Sequence, residues 1–272
     1  MSVQTASAQT AYFVQISDTH IGPSASFERH GHNALSCARR VVEIINSLPQ
    51  RPDFVVHTGD VVYDPDPEAY RLAARTFARL NAPVYYVVGN HDRARDINHF
   101  LPMGPREVLA EDRDLLSYAF EARGYRFLVV DARGPDEIDP HGLFSARQLE
   151  IVREEVSRDG PPLVIFTHYP IFPLNSVWMD TYMLTLNGAA FHDIVREAGS
   201  RLRAVFHGHV HQNMQTLRDG VLYTSIASVF AQFAAWPNDV VTSFDTQHPP
   251  GYGFVHLLPQ QTIIHQHTFE RP

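Results

Sequence analysis

Phe13-Val14-Gln15-Ile16-Ser17 runs straight into Asp18-Thr19-His20, so an apolar stretch of strand length ends on a carboxylate and an imidazole. The same junction recurs four times. Phe54-Val55-Val56-His57-Thr58-Gly59 leads into Asp60, and Val84-Tyr85-Tyr86-Val87-Val88-Gly89 into Asn90-His91-Asp92. Leu163-Val164-Ile165-Phe166-Thr167 leads into His168, and Ala204-Val205-Phe206-His207-Gly208 into His209-Val210-His211. Helical patterns lie between these runs: Asn33 to Leu48, with Leu35, Ala38, Val41, Val42 and Ile45 on one face, then Glu68 to Leu80 and Ala190 to Ala198. Apolar runs alternating with helical periods predict an α/β fold. In open α/β sheets the ligand site lies beyond the carboxyl ends of the strands, so five metal-ligating strand ends are expected to meet in one place.

Outward from these junctions, Tyr118 to Glu121 and Arg126 to Asp131 read as a hairpin turning at Arg123-Gly124. Ser145 starts a helix with Gln148 as its capping-box partner. The tail changes character, because Val221 to Ile226, Gly253 to Leu258 and Thr262 to Thr268 read as strands without intervening helices. Nothing reads as a linker, so residues 1–272 are expected to form one domain with two packed sheets, in which 212–272 is a strand-rich C-terminal part. Arg93 to Arg113, Ile171 to Asn187 and Val229 to Pro250 fit no element. Long loops of that kind in an enzyme often carry function.

Hydrophobic residues at 44% and charged residues at 19% supply an ample core. Met1 to Thr10 lacks the basic and apolar regions of a secretory signal. No apolar run reaches the ~20 residues of a membrane span. Cys37 is the only cysteine, which excludes an internal disulfide and fits a reducing cytoplasm. A net charge of −8 argues against a protein that coats nucleic acid. It leaves an anionic substrate open, since bound cations reverse a local field. The 16 histidines stand out, and their place at strand ends gives them meaning.

In extended chain, residues i and i+2 point the same way. Asp18 with His20, and His209 with His211, are therefore each expected to offer two ligands in one direction. Glycines before Asp60, Asn90 and His209 mark tight turns or close backbone approach. Carboxylate, imidazole and one amide oxygen, without thiolate, suit Zn, Mn, Fe or Co. Seven ligands exceed one tetrahedral ion and fit two ions that share a carboxylate.

D-x-H, G-D, G-N-H-D, a strand-end histidine and G-H-x-H, in this order from Asp18 to His211, resemble the calcineurin-like metallophosphoesterase superfamily. The resemblance implies a β-sandwich of two mixed sheets flanked by helices. It implies one ion on Asp18, His20, Asp60 and His211, and a second on Asp60, Asn90, His168 and His209, with Asp60 bridging. It further implies hydrolysis of phosphate esters by a metal-bridging hydroxide, with His91 as general acid or transition-state stabiliser. Asp92, next in the chain, is expected to orient His91. Trp178-Met179-Asp180 and Asn187-Gly188 resemble the corresponding region of bacterial glycerophosphodiesterases and class III cyclic-nucleotide phosphodiesterases, which act on small phosphate esters and form dimers or larger homo-oligomers. The alternatives are a phosphomonoesterase acting on a sugar phosphate or a protein, and a catalytically silent protein-binding scaffold of the same fold.

Other histidines have plainer readings. His57 and His207 are expected to be packed or hydrogen-bonded, and His30, His32 and His99 to be solvated, in loops close enough to the first and third motifs to touch substrate. Gly59-Asp60-Val61-Val62-Tyr63 also resembles the G-D-x-x-Y motif of purple acid phosphatases, whose tyrosine binds ferric iron. Those enzymes lack the histidine of D-x-H. Here His20 is read as the ligand and Tyr63 as a supporting or core residue. Phe230 to Trp236 reads as an interface, a substrate cap or core.

Overall fold

The computed structural model describes residues 9–110, 115–245 and 247–272. Residues 1–8 of the N-terminal stretch and 111–113 of the third-motif loop lie outside them.

Two sheets carry the fold. The first has strands in the order Gln261–Thr268, Gly251–Leu258, Ala11–Ile16, Phe54–His57 and Val84–Tyr86. The last three run parallel, and Ala11–Ile16 pairs antiparallel with Gly251–Leu258. The second sheet runs Gln215–Arg218, Val221–Ser225, Leu202–His207, Leu163–Phe166, Tyr125–Val129, Tyr118–Ala122 and Glu107–Val108. Its four central strands are parallel and its edges antiparallel. Both sheets are mixed, as expected. The five strands that end in candidate ligands are parallel members of one sheet or the other.

An aromatic layer joins the sheets. Phe13 of the first stands 5.2 Å from Phe206 and 5.6 Å from Phe166 of the second, and Phe54 stands 4.7 Å from Phe127. Such rings bury large apolar area in edge-to-face geometry. Helices Ala34–Asn46 and Pro67–Phe77 add Leu35, Val41, Val42, Tyr70 and Phe77 to the same core. Helices Ala146–Ser157 and Gly188–Val195 pack with Leu128, Ile165 and Val205 in a second core on the second sheet. Caps set the starts. Asn33 accepts from Ser36 N at 2.8 Å, Asp66 from Glu68 N at 2.7 Å, and Ser145 and Gln148 form the expected capping box. The helix expected over Ala190 to Ala198 begins at Gly188 and passes into a 3₁₀ turn at Arg196–Arg201, where Gly199 has φ 53°.

Two of the tail strands return to the first sheet, so the C-terminal part pairs directly with Ala11–Ile16. Two of the three unassigned segments hold short helices, Ala94–Phe100 and Val177–Tyr182, and the third holds the hairpin Gln232–Ala234 with Ser243–Asp245. Periodicity missed them because each is too short to show one. Among the described residues, no helix is long and apolar enough to cross a membrane.

Candidate metal centre and active-site cavity

The expected junctions form, but not in extended chain. Asp18, His20, Asp60, His209 and His211 all have left-handed backbone, with φ of 55°, 45°, 55°, 69° and 50°. Each parallel strand stops, and the chain turns sharply at its end. The Asp18 and His20 amides then bond to Gly59 O and Asp60 O at 3.0 and 3.1 Å, locking the first junction onto the second. Asp18 and His20 offer their ligands to one cluster as expected, whereas His209 and His211 do not. Their side chains part, and each joins a different cluster.

One cluster is Asp18, His20 and His211; another is Asp60, His168 and His209. Within each, ligand atoms lie within 4.8 Å of one another. His20 Nε2 is 3.1 Å from His211 Nε2, which is 3.4 Å from Asp18 Oδ1. His168 Nε2 is 3.1 Å from His209 Nδ1 and 3.3 Å from Asp60 Oδ2. The same Asp60 oxygen is 3.8 Å from His20 Nε2, so one carboxylate reaches both clusters. Asn90 lines the adjoining cavity, and its Oδ1 is buried with no hydrogen-bond partner.

Hydrogen bonds behind the rings fix which nitrogen faces the site. His168 Nδ1 donates to Thr58 O at 2.7 Å and His211 Nδ1 to Ala231 O at 2.5 Å, which turns both Nε2 atoms inward. Burial, then His91, holds the His20 pKa well below its ordinary value, and burial with His168 does the same to His209. Both are therefore neutral, the form that ligates. Burial opposes charge on His168, yet Asp60 pushes its pKa up to about 9. Burial would raise the Asp60 carboxyl, but His168 and His91 hold it far below the usual range. The cluster thus demands positive charge beside Asp60, which a proton or a cation can supply. Unpartnered Asn90 Oδ1, converging ring nitrogens and a donor set without thiolate fit two divalent ions.

Glycine is required at two of the turns. Gly59 has φ +102°, and a Cβ there would lie 2.3 Å from His168 Nδ1. A Cβ on Gly89 would lie 2.1 Å from Asp60 Oδ1.

His91 sits beside the clusters, with a ring nitrogen within 4.8 Å of ligand atoms of His20 and Asp60. Its amide donates to Asp60 Oδ1 at 2.9 Å and its Nδ1 to Tyr63 O at 2.5 Å. Asp92 does not orient it, contrary to the expectation from adjacency. The Asp92 carboxylate is fully buried and accepts from the amides of Val61, Val62 and Gly89 at 3.1 to 3.3 Å. It ties the Asp60 turn to the Asn90 turn. Burial and Asp60 push its pKa up to about 7, against the lowering effect of those amides. Tyr63 does not reach the clusters as a ligand: its hydroxyl accepts from Arg29 Nη2 at 2.5 Å, and its ring lies 6.2 Å from that of His20.

His57 and His207 are buried and hydrogen-bonded, to Thr19 Oγ1 at 2.9 Å and to Gly208 O at 3.1 Å. Burial pushes their pKa values down to about 3 and about 4. His30 is half-buried. It stacks on Phe244 at 3.5 Å and lines the cavity. His99 remains exposed.

Above the clusters lies a cavity of about 290 Å³. Its floor includes His20, Asp60, Asn90, His91, His209 and His211. Its walls include Trp178, Met183, Phe230, Phe233 and Phe244, together with Arg29 and Tyr63. Most of these wall residues come from the unassigned segments, where only scattered aromatics signalled them. Ser228 escaped notice in the sequence. Its Oγ donates to Asp18 O at 2.8 Å and accepts from Phe230 N and Ala231 N at 2.9 and 3.1 Å, fixing one wall to the first cluster.

Comparison with known proteins agrees with this geometry. The chain is 28% identical over 246 residues to a 3',5'-cyclic adenosine monophosphate phosphodiesterase, CpdA, of Pseudomonas aeruginosa, covering 90% of this chain and 84% of the relative. It is 28% identical over 257 residues to the glycerophosphodiester phosphodiesterase GpdQ of Enterobacter lignolyticus, covering 93% and 89%. A dimetal phosphatase from Danio rerio shares the fold with a TM-score of 0.62 at 17% identity, over 93% of this chain and 98% of that one. The sequence profile of the calcineurin-like phosphoesterases matches residues 11–213. That span takes in every strand-end ligand from Asp18 to His211, and the chain belongs to the calcineurin-like phosphoesterase family.

Proposed function

We propose that this phosphoesterase is a phosphodiesterase acting on a cyclic nucleotide or a glycerophosphodiester. The observation that carries the reading is the pair of clusters joined by Asp60 at the floor of an aromatic-walled cavity. The kinship with relatives named as cyclic-nucleotide and glycerophosphodiester phosphodiesterases supports the substrate class.

Asp18, His20, Asp60 and His211 would hold one ion, and Asp60, Asn90, His168 and His209 the other. When bound, the two ions supply Lewis acidity that activates water and neutralises phosphate oxygens. Mn, Fe, Zn and Co all suit the donors. The protein contributes orientation: Thr58 O and Ala231 O fix the tautomers of His168 and His211. His91 donates from Nδ1 to Tyr63 O, so its other nitrogen carries a proton for the leaving alcohol when the ring is the imidazolium, a form that burial opposes but Asp60 and Tyr63 O favour. The aromatic walls exclude water around the leaving group.

The single-domain reading is supported by the pairing of the C-terminal strands with Ala11–Ile16. A cytoplasmic setting is supported by the single, buried cysteine. Exposed Val177, Tyr182, Trp236, Val240 and Val241 support a homodimer or larger assembly.

The test compares bis-p-nitrophenyl phosphate with p-nitrophenyl phosphate on the Mn-loaded protein. Preference for the diester is expected. Preference for the monoester overturns it in favour of a phosphomonoesterase, and silence on both points to a scaffold.

A further inference from the structure

We infer that Arg29 is a specificity residue for a second anionic group on the substrate. The cavity would then take a diester whose planar organic body carries another phosphate or carboxylate besides the group that is cleaved. This rests on the phosphodiesterase activity read above and departs from its two substrate classes, because a cyclic nucleotide carries only the one anionic group and a glycerophosphodiester has no planar body.

Among the described residues, Arg29 is the only arginine or lysine that lines the cavity. None of them gives it a carboxylate partner. What holds it is Tyr63: Nη2 donates to the Tyr63 hydroxyl at 2.5 Å, and the guanidinium carbon stands 5.0 Å from the ring centroid. That contact uses one of five N–H donors and leaves the rest of the fork for a ligand. Arginine meets phosphate and carboxylate bidentately, and a fork already held on a ring loses little freedom when it does so.

Position separates this anchor from the scissile phosphate. Arg29 contacts the Tyr63 ring, which in turn lies 6.2 Å from His20 and 5.7 Å from His91. The guanidinium is therefore not itself among the cluster residues that would hold the scissile phosphate. The same cavity is walled by Phe230, Phe233, Phe244 and Trp178, which suit a flat apolar body. The hairpin of Glu28–Arg29 with His32–Asn33 is itself held in place, because His30 at its tip stacks on Phe244. The charge is thus placed by structure, on the lining of the cavity that holds the clusters.

The test uses a matched pair: thymidine 5'-(p-nitrophenyl phosphate), and the same ester carrying a 3'-phosphate. Leaving group and base are identical, and p-nitrophenolate release reports only the diester cleavage. The Mn-loaded wild type should prefer the 3'-phosphorylated ester by about fivefold in kcat/KM, the scale of an exposed charge-assisted contact. That preference should shrink in high salt. In Arg29→Gln the ratio should fall to about one, and Arg29→Lys should keep part of it. No preference in the wild type, or equal losses on both esters in Arg29→Gln, overturns the inference. A binding arm is independent of turnover. Quenching of tryptophan fluorescence, with Trp178 in the wall as reporter, is titrated with thymidine 3',5'-bisphosphate and with thymidine 5'-phosphate. Tighter binding of the bisphosphate, lost in Arg29→Gln, supports the inference, and equal affinities in the wild type overturn it. If the wild type cleaves neither ester, the phosphodiesterase reading fails, and the binding arm alone decides the role of Arg29.

Discussion

Ser228→Ala should weaken one metal site from a position that touches no metal. Ser228 is fully buried, and its hydroxyl makes three hydrogen bonds, to Asp18 O, Phe230 N and Ala231 N. Alanine leaves three buried backbone groups without partners. At about 1 kcal/mol each, the loss is about 3 kcal/mol. For a chain of this length 1 kcal/mol corresponds to about 2 °C, so Tm should fall by about 6 °C. The functional effect runs through Ala231. Its carbonyl accepts from His211 Nδ1 and so keeps the other nitrogen on the cluster of Asp18 and His20. Loss of such a supporting partner typically costs 10- to 100-fold in metal affinity. Calorimetric titration of the metal-free variant with Mn should show one weakened class of site and one near the wild type. A fall in Tm with both affinities intact would refute the reasoning, because Ser228 would then support the fold alone. Ser228 also lies beyond residue 213, where the family profile ends, so an effect would show that the C-terminal part completes the site.

His91→Ala should keep two metals per chain and lose 10²- to 10⁴-fold in turnover, measured by metal analysis and diester hydrolysis; near-wild-type turnover sinks the proton-donor role. Gly89→Ala drives a Cβ to 2.1 Å from Asp60 Oδ1 and 2.4 Å from Asp60 N, so metal content should drop, and full occupancy would count against the close-approach argument. Arg126→Met strands the buried Glu155 carboxylate, which Arg126 now contacts at 2.8 and 2.9 Å. The cost should be about 3 kcal/mol, the low end for a broken buried pair, because Arg158 remains 2.7 Å away. Burial raises the Glu155 pKa, yet Arg126 brings the net value below the ordinary one. In the wild type this stabilisation is therefore present above about pH 4.3 and lost as pH falls through the folded value. In the variant burial dominates and stability should decline as pH rises, so Tm scans from pH 4 to 8 should level off above about pH 5 in the wild type and fall in the variant.

The architecture was legible because burial writes itself into the sequence at short range. Phe13 to Ile16, Phe54 to Val56 and Leu163 to Phe166 are apolar runs of strand length, and each ends where the chain leaves the core. The residues that follow are polar at the carboxyl end of a parallel sheet, so their convergence followed from topology. The cavity walls were hidden because their contacts are long-range. His30 meets Phe244, and Trp178 meets Phe233, at separations that leave no period. Adjacency misled at Asp92, whose carboxylate serves amides near residue 61 and at residue 89 rather than the ring next to it.

Backbone sign was the other thing that the sequence concealed, and it bears on function. Left-handed φ at a non-glycine residue costs on the order of 1 kcal/mol, so Asp18, His20, Asp60, His209 and His211 together hold about 5 kcal/mol of local strain. The buried Asn90 Oδ1, His20 Nδ1 and His209 Nε2 have no hydrogen-bond partners and add desolvation cost. Strain and unpaired polar atoms spread over a fold belong to irregular loops. Among the described residues, left-handed backbone also occurs at His30, Arg123, Asn175 and Asp219, and unpartnered buried atoms lie elsewhere too, but five such turns fall together on the residues whose remaining atoms converge around Asp60. A structural core would gain from relaxing each of them, and glycine at these turns would remove the backbone strain. Their concentration at one point is the pattern expected when the offsetting term is binding of cations, which supports the catalytic reading over a silent scaffold.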